Sequence, residues 1–457
     1  MNNFDPIAGC GTAAHINRRT LLKAAGLSGI SWLTPVAEQL ARAAESDRSG
    51  KKPQSVIVLW LAGAPSQIET FDPHPGTDIA GGTKARNTSV KGIQLADGLE
   101  QVADQMEHIA VVRSVMSKEG DHERATYNMK TGFRPDPTLV HPAIGAVLCR
   151  NLTDSKPVEI PRHVSILPGP FAARGGYLGD KFDAFKINDP INPIPDVRPQ
   201  VDDERFKKRL SKLDFLEQEF ARGRILASRN KVAEKDKTLH VLTTKSALRM
   251  MESDQLKAFE VKEEPQSVRD EFGDTPFGRG CLAALRLVET GVRCIEITLN
   301  GWDSHANNHE IQAGRIEILD PAFAALLRHL KERELLDSTI VMCGGEFGRT
   351  PRINPAGGRD HWPHGFSVAL AGGGIRGGQV IGGTSPKPKL DEKNRLQDVE
   401  NPWNVEDIHA TVLHSLGIDF TYEEDTPVGR PMAISKGKVI EELLIQKTSK
   451  RGVGFPP

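Results

Sequence analysis

Short, strongly apolar runs recur along this chain and alternate with amphipathic stretches. The first run, residues 55–61 with the sequence Ser-Val-Ile-Val-Leu-Trp-Leu, is rich in β-branched side chains. It predicts a strand that is covered on both faces, as a parallel sheet requires. Four further runs predict strands on the same grounds, at residues 109–113, 294–299, 339–343 and 367–371.

Between several of these runs, apolar residues recur at helical spacing. One helix is predicted over 280–289. A second is predicted to begin with Asp320 as its N-cap and Pro321 as its first helical residue. A third is predicted between the N-cap Asn404 and the terminating Gly417. Strands that alternate with helices in this way predict an α/β fold with a doubly wound, mostly parallel sheet.

Residues 197–270 have a different character, because they are dense in charged and helix-forming side chains. We interpret them as a helical insertion that packs on the sheet domain or over its rim. A proline-rich linker at 187–199 leads into this segment. A partner-binding arm is the alternative interpretation.

The first 43 residues have the pattern of an export signal. Arg18 and Arg19 precede Thr-Leu-Leu-Lys, a weakly apolar run follows, and Ala-Arg-Ala at 41–43 fits a cleavage site. Paired arginines in this setting are typical of the twin-arginine pathway. We therefore predict a signal peptide at 1–43 for the twin-arginine export machinery, a mature α/β domain at 44–457, and a periplasmic or extracellular location.

Charge and composition argue against two classes of partner. The formal net charge is -1 at pH 7, whereas domains that bind nucleic acid are strongly basic, so we predict no nucleic-acid partner. No stretch approaches the roughly 20 apolar residues of a membrane span, so none is predicted in the mature chain. The five cysteines lack C-x-x-C spacing, which indicates buried thiols rather than a disulfide framework.

Acidic residues and histidines follow several of the predicted strands. Ligands of an open α/β sheet bind outside the carboxyl ends of its strands, so loops in these positions are expected to meet. Glu69 follows the first predicted strand and His122 follows the second. The later strands and the loop beyond them supply the other candidates, which are Asp303, His305, Glu346, Asp360 and His361. We predict that these side chains converge in a single cation-binding pocket.

The candidate ligands combine carboxylate oxygens with imidazole nitrogens. We predict that they hold a divalent metal ion, and such a donor set suits zinc, manganese, calcium or magnesium. Arg349 and Arg359 are predicted to hold a tetrahedral anion beside it through paired hydrogen bonds. A structural network of ion pairs that binds nothing is the alternative for the same side chains.

Several motifs in this chain resemble those of a known family, the domain of unknown function numbered 1501. They occur in the family's order and cover nearly all of the mature chain. The matching segments are 62–67, 70–73, Asp121-His122 leading to Thr131-Gly132, 302–305, 345–351, 358–362 and 371–378. This family resembles a branch of the alkaline phosphatase and sulfatase superfamily, and membership implies the fold of that superfamily.

The resemblance implies hydrolysis of phosphate or sulfate esters, with metal ions that hold the anion while a nucleophile attacks. By analogy with sulfatases, the position of the nucleophile falls on His122, counting back from Thr131-Gly132. His122 is therefore either a catalytic nucleophile, a metal ligand or a general base. The chain departs from the superfamily pattern where its first strand ends on Ala-Gly instead of Asp, and where Glu346-Phe347 replaces Asp-His or Asp-Asn.

Two main functions are consistent with these features, beside a purely structural role at the cell surface with the helices of 197–270 as the contact. The first is a metal-dependent hydrolase of sulfate or phosphate esters that acts outside the cytoplasm, on a small anionic ester or on a sulfated or phosphorylated glycan. The second is a non-catalytic protein on the same fold, which binds an anion or a partner without changing it. The departures from the superfamily pattern favour the second function.

Overall fold

The computed structural model describes residues 55–154, 157–227, 233–391 and 393–445. The signal peptide predicted at 1–43 lies outside these residues. The described chain is built around one sheet of nine strands. In chain order these are β1 Ser55–Ala62, β2 Ile109–Met116, β3 His163–Ile166, β4 Phe185–Ile187, β5 Cys294–Asn300, β6 Thr339–Gly344, β7 Phe366–Ala371, β8 Gln379–Ile381 and β9 Trp403–Asn404.

The order of the strands across the sheet is β8-β2-β7-β6-β1-β5-β3-β4, and β9 pairs with β2. The central strand β1 runs parallel to both of its neighbours, with Val56 opposite Cys294 on β5 and Ile340 on β6. Only β7 pairs in the antiparallel sense, with β6 and with β2. The predicted mostly parallel α/β sheet is therefore confirmed, and all five predicted strands are present.

Helices cover both faces of this sheet. The helices in chain order are α1 Glu100–Asp104, α2 His122–Thr131, α3 Ile144–Asn151, α4 Asp203–Ala227, α5 Ala233–Glu252, α6 Gln266–Glu271, α7 Pro276–Thr290, α8 Asn308–Glu332 and α9 Val405–Ser415. Ile57 and Leu59 of β1 belong to one core together with α1, α7 and α8. Val56 and Val58 belong to the opposite core together with α2, α3 and α9. Because side chains alternate along a strand, an apolar run that is covered on both faces must be apolar at every position.

The helix predicted to begin at Asp320 begins twelve residues earlier, and this prediction was wrong. α8 is one continuous helix that carries Pro321 in its interior. The Asp320 carboxylate accepts hydrogen bonds from the backbone N–H groups of Gln101 at 3.0 Å and Val102 at 2.8 Å. Asp320 therefore caps the start of α1 rather than of its own helix, and Leu319 and Phe323 on either side of Pro321 are fully buried.

The other two predicted helices are present. α7 begins at Pro276, where the Thr275 hydroxyl accepts from the backbone N–H of Gly278 at 3.0 Å. α9 begins with a capping box, in which Asn404 and the Asp407 side chain bond to each other's backbone N–H groups. The segment predicted as a helical insertion contains α4, α5 and α6. Every helix in the described part of the chain is too short or too polar to cross a lipid bilayer.

His409 gives the fold a specific dependence on pH. Its ring is buried between α9 and α2, with Nε2 at 2.8 Å from the Met129 carbonyl, and burial lowers the pKa of His409 from 6.5 to about 4. The unfolded chain takes up this proton below pH 6.5, whereas the folded chain resists it down to pH 4. We therefore expect the His409 contribution to stability to be complete above pH 6.5 and to be lost as the pH falls to 4, by about 3 kcal/mol.

Urea unfolding at pH 7.0, 5.5 and 4.5 measures this loss. His409→Gln keeps an N–H donor for the Met129 carbonyl but does not titrate, so its free energy of unfolding should fall less steeply with acid. The exposed His414 on the same helix provides the control, and His414→Gln should retain the wild-type slope. Equal slopes for wild type and His409→Gln would contradict the assignment.

Candidate metal centre

The strand ends converge on one site, as the sequence predicts. Asp303 lies three residues beyond β5 and Glu346 lies two residues beyond β6. His122 is the first residue of α2, in the connection that leaves β2. His361 forms a two-residue antiparallel ladder with Arg349 just past β6. Parallel strands end at the same edge of a sheet, which brings residues far apart in sequence into contact there.

Three imidazoles and one carboxylate direct ring nitrogens and oxygens at a common point. His305 Nε2 lies 3.0 Å from His361 Nε2 and 3.2 Å from Asp303 Oδ1. His361 Nε2 lies 3.8 Å from Asp303 Oδ1, and His122 Nε2 lies 3.5 Å from Asp303 Oδ2. The donor atoms of His122, Asp303 and His361 all lie within 4.8 Å of one another.

The opposite nitrogen of each ring is held by an acceptor. His122 Nδ1 lies 2.6 Å from Glu346 Oε1, and His305 Nδ1 lies 2.9 Å from Asp360 Oδ1. His361 Nδ1 lies 2.8 Å from the carbonyl oxygen of Gly120. A neutral imidazole that donates from Nδ1 presents the lone pair of Nε2, so all three rings offer a ligand atom to the common point. Metal-binding histidines are held in this way by carboxylates and backbone carbonyls.

Asp303 is kept ionised by a buried arginine. Arg349 Nη2 donates to Asp303 Oδ1 at 2.6 Å, and the Arg349 side chain has no exposed surface. Burial by itself would raise the pKa of Asp303, but the hydrogen bond and charge of Arg349 outweigh burial and hold this pKa below its usual value. Asp303 is therefore a carboxylate at neutral pH and offers a negative oxygen to a cation.

The environments of His122 and His361 shift their pKa values in opposite directions. The hydrogen bond that His122 donates to Glu346 raises the pKa of His122, against the opposing effect of partial burial. Burial lowers the pKa of His361 and outweighs its bond to the Gly120 carbonyl. His361 is therefore suited to remain neutral as a ligand, whereas the Glu346 pair makes His122 the stronger proton acceptor.

These donors fit a zinc-like ion. A tetrahedral ion with bonds of about 2.0–2.1 Å separates its ligand atoms by about 3.3 Å, which is close to the spacings at this site. His122 Nε2 is also buried without a hydrogen-bond partner, as expected of an atom that faces a ligand. Imidazole nitrogens favour zinc and other transition metals, whereas calcium and magnesium prefer six or more oxygen ligands.

Arg349 is not placed to contact a substrate. Its Nε donates to the Ala64 carbonyl at 3.0 Å and its Nη1 donates to the Arg359 carbonyl at 3.1 Å. Its Nη2 donates to both the Gly63 carbonyl and Asp303. Because this guanidinium is fully buried, the predicted role in anion binding is corrected to one of positioning Asp303 and the ends of the loops.

Glu69 and Arg359 form a separate buried ion pair instead of joining the metal cluster. Arg359 Nη2 donates to Glu69 Oε1 at 2.9 Å, and the two side chains are 0% and 5% exposed. Arg359 also donates to the carbonyls of Pro351 at 2.7 Å and Ile79 at 2.8 Å. The predictions of Glu69 as a ligand in this cluster and Arg359 as an anion contact are therefore corrected, because Glu69 Oε1 is paired with Arg359 and the Arg359 guanidinium is fully buried against Glu69 and backbone carbonyls.

A comparison with family models places the chain. A model described as "Protein of unknown function (DUF1501)" matches residues 53–444. The chain belongs to this family. A search of curated proteins found no match.

Solved structures similar to this family member include a sulfatase, an alkaline phosphatase and a lipoteichoic acid synthase. A sulfatase from Pseudoalteromonas sp. is 12% identical, with 84% of this chain and 72% of that chain covered and a TM-score of 0.38. The alkaline phosphatase from the Antarctic bacterium TAB5 is 14% identical, with 70% and 92% covered and a TM-score of 0.30. The lipoteichoic acid synthase LtaP from Listeria monocytogenes is 10% identical, with 82% and 77% covered and a TM-score of 0.37.

The geometry explains why this DUF1501 member has glycine where its first strand ends. A Cβ on Gly63 would lie 2.6 Å from the backbone nitrogen of Asp303, and the φ of Gly63 is +107°. The Gly63 N–H donates to Glu346 Oε1 at 3.0 Å, so the loops that carry Gly63, Asp303 and Glu346 are in close contact. A side chain at this position would separate Asp303 from its neighbours.

Two contributions to the site could not be identified from the sequence. The Gly120 carbonyl holds His361, and a backbone oxygen has no sequence signal of its own. Phe347 packs against the rings of His122 at 5.0 Å and His361 at 4.6 Å between centroids. Its position next to Glu346 in a family motif was a signal, but not of this packing role.

Proposed function

We propose that this protein is a metal-dependent hydrolase of sulfate or phosphate esters, exported by the twin-arginine route and active outside the cytoplasm. One observation carries the proposal of a metal-dependent enzyme. The Nε2 atoms of His305 and His361 meet at Oδ1 of Asp303. Both rings are fixed by hydrogen bonds at Nδ1, and Asp303 Oδ1 also accepts a hydrogen bond from Arg349. Three protein ligands with an open position are typical of catalytic rather than structural zinc sites.

In this proposal Asp303, His305 and His361 hold the ion. A divalent cation at this position would polarise an ester oxygen and neutralise the charge that develops during hydrolysis. Asp360 and the Gly120 carbonyl hold the rings of His305 and His361, and Arg349 holds Asp303. These contacts keep the ligand atoms oriented before any substrate arrives.

His122 is the proposed proton acceptor of the reaction. Its bond to Glu346 directs Nε2 to within 3.5 Å of Asp303 Oδ2, on the edge of the ligand cluster. A histidine held by a buried carboxylate is a common arrangement for a general base. In the part of the chain that the structure describes, no hydroxyl or thiol bonds to His122, Glu346 or Asp303, so a water molecule is the better candidate for the attacking group.

The lack of a hydroxyl or thiol bonded to His122, Glu346 or Asp303 among the described residues also favours a second function. A protein of this fold that binds an anion without hydrolysing it would need the cation but not a nucleophile. The full occupation of Arg349 and Arg359 by other groups also leaves fewer cations to stabilise a transition state. The two functions differ in one measurable respect, which is turnover by the metal-loaded protein.

Elemental analysis and an ester panel test the proposal. Cells that produce the full chain are fractionated, and the protein is purified from the extracytoplasmic fraction. We expect about one equivalent of zinc and hydrolysis of aryl sulfates or aryl phosphates, which a chelator abolishes and added zinc restores. Zinc binding without turnover on a broad panel would support the binding function. Protein without metal, or recovered only from the cytoplasm, would contradict the corresponding part of the proposal.

A further inference from the structure

The exposed face of α4 carries a concentrated positive charge on a chain whose net charge is -1. Four basic side chains recur along this helix at positions i, i+3, i+4 and i+7, and all four are exposed. They are Arg205, Lys208, Arg209 and Lys212, here called the basic stripe. Residues at this spacing lie on one face of a helix, and they extend over about 10 Å of its length.

The basic stripe is not neutralised by the protein itself. None of its four side chains forms an ion pair in the part of the chain that the structure describes. Some basic side chains elsewhere do have acidic partners, such as the exposed Arg124 with Glu119 at 2.7 Å. Four like charges on adjacent turns repel one another. The neighbouring acids Asp202 and Glu204 form no ion pair with them among the described residues.

Two large apolar side chains continue the same face. Phe215 and Leu216 follow the stripe by one turn, and each is 62% exposed. The apolar residues on the other side of α4 are Phe206, Leu210 and Leu213, which are only partly exposed. The outer face therefore combines a row of cations with an exposed aromatic ring.

We propose that the basic stripe, with Phe215 and Leu216, is a binding surface for an anionic polysaccharide bearing sulfate or phosphate groups. A row of unpaired cations complements a regularly charged chain, and guanidinium groups bind sulfate and phosphate oxygens in pairs. An exposed aromatic ring offers an apolar face to a sugar ring. The choice of a sulfated or phosphorylated glycan rests on the proposed function, because the same ester groups would be substrates at the metal centre.

Two other polyanions fit this face less well. Helices that lie on membranes bury an apolar face along their whole length, whereas the face of α4 that carries the basic stripe has apolar side chains only at Phe215 and Leu216. A nucleic-acid interface usually combines a basic stripe with a strongly basic domain, and the net charge of this chain is -1. A glycan requires only a local row of charge and one ring.

A binding experiment tests the surface separately from the metal centre. The probes are fluorescently labelled heparin, neutral dextran, a 20-base-pair DNA duplex and phosphatidylglycerol vesicles, titrated with the full chain. Asp303→Asn serves as the background to prevent turnover. We expect heparin to bind tightest, with an affinity that falls steeply as salt rises, and dextran not to bind.

The variant removes the stripe by Arg205→Gln, Lys208→Gln, Arg209→Gln and Lys212→Gln together, which preserves helix propensity. Its control removes the same charge at exposed sites elsewhere, by Lys91→Gln, Lys262→Gln, Lys387→Gln and Lys389→Gln. We expect the stripe variant to lose at least about tenfold in heparin affinity, equivalent to one logarithmic unit in Kd, and the control to lose less than about threefold.

Equal losses in the two variants would overturn the proposal, because binding would then follow net charge alone. Tighter binding of DNA or vesicles than of heparin would overturn the assignment of the ligand. Melting temperatures of both variants establish that they are folded. Heparin binding together with a wild-type, zinc-loaded protein that is inert on every ester would refute the proposed function and leave this surface as a glycan-binding site.

Discussion

Asp303→Asn is expected to remove both the metal ion and the activity of this protein. The substitution preserves the shape of the side chain and an acceptor for Arg349, but it removes the negative charge from the ligand cluster. Zinc content should fall below about a tenth of the wild-type value. Ester hydrolysis should fall by about 1000-fold or more, which corresponds to about 4 kcal/mol of lost transition-state stabilisation. Elemental analysis and steady-state kinetics on an aryl ester measure the two effects.

The variant His122→Gln tests whether His122 binds the metal or transfers the proton. His122→Gln should retain zinc but lose hydrolysis, since in the proposed function His122 accepts a proton and Asp303, His305 and His361 bind the ion. Loss of zinc in His122→Gln would instead make His122 a ligand. The exposed Asp337 supplies the control, and Asp337→Asn should match the wild type in both measurements. An Asp303→Asn protein with full zinc content and activity would refute the site.

Glu69→Gln is expected to destabilise the fold by about 3–5 kcal/mol. The substitution leaves the charge of Arg359 fully buried without a compensating carboxylate. Arg359 holds the loop before His361 through the carbonyls of Thr350 at 3.1 Å and Pro351 at 2.7 Å, and it also holds the Ile79 carbonyl. Its displacement would therefore disturb two segments at once. Chemical denaturation at neutral pH measures the free energy of unfolding.

Glu100→Gln is the matched control for this prediction. Glu100 pairs with Arg86 at 2.6 Å, but both side chains are substantially exposed, at 49% and 34%. Water and salt screen such a pair, so the control should cost less than about 1 kcal/mol. If both variants lower the free energy of unfolding equally, burial does not make the Glu69–Arg359 pair more stabilising than the exposed pair, and the prediction is wrong.

The sheet was predictable because its strands satisfy a simple local condition. A strand covered on both faces must be apolar at nearly every position, and β1, β5 and β6 are short runs of this kind bounded by loop residues. A helix start was predicted correctly where the cap serves its own helix, as at Asn404. The start of α7 at Pro276 lies four residues before the predicted one. Asp320 and Pro321 form an equally good local start signal, but the carboxylate of Asp320 caps α1 across more than 200 residues.

The candidate site was predictable at the level of loops but not of atoms. The sequence indicated that Asp303, His305 and His361 follow strands whose ends meet, because parallel strands end at one edge. It did not indicate that Glu346 and Asp360 would hold histidines rather than face the common point. Glu346 and Asp360 hold the histidines because their oxygens lie near the Nδ1 atoms of His122 and His305, and these contacts depend on the tertiary structure.

The sequence by itself determined the α/β class, the strands, the family and the loops that carry the chemistry, because periodicity and short motifs are local properties. Only the tertiary structure decided the partners of the charged groups. Arg349 and Arg359 are alike in sequence, and both could have faced an anion. Their burial against Asp303 and Glu69 results from contacts between distant segments. A charge removed from water is stable only when an opposite charge or hydrogen-bond partner lies beside it.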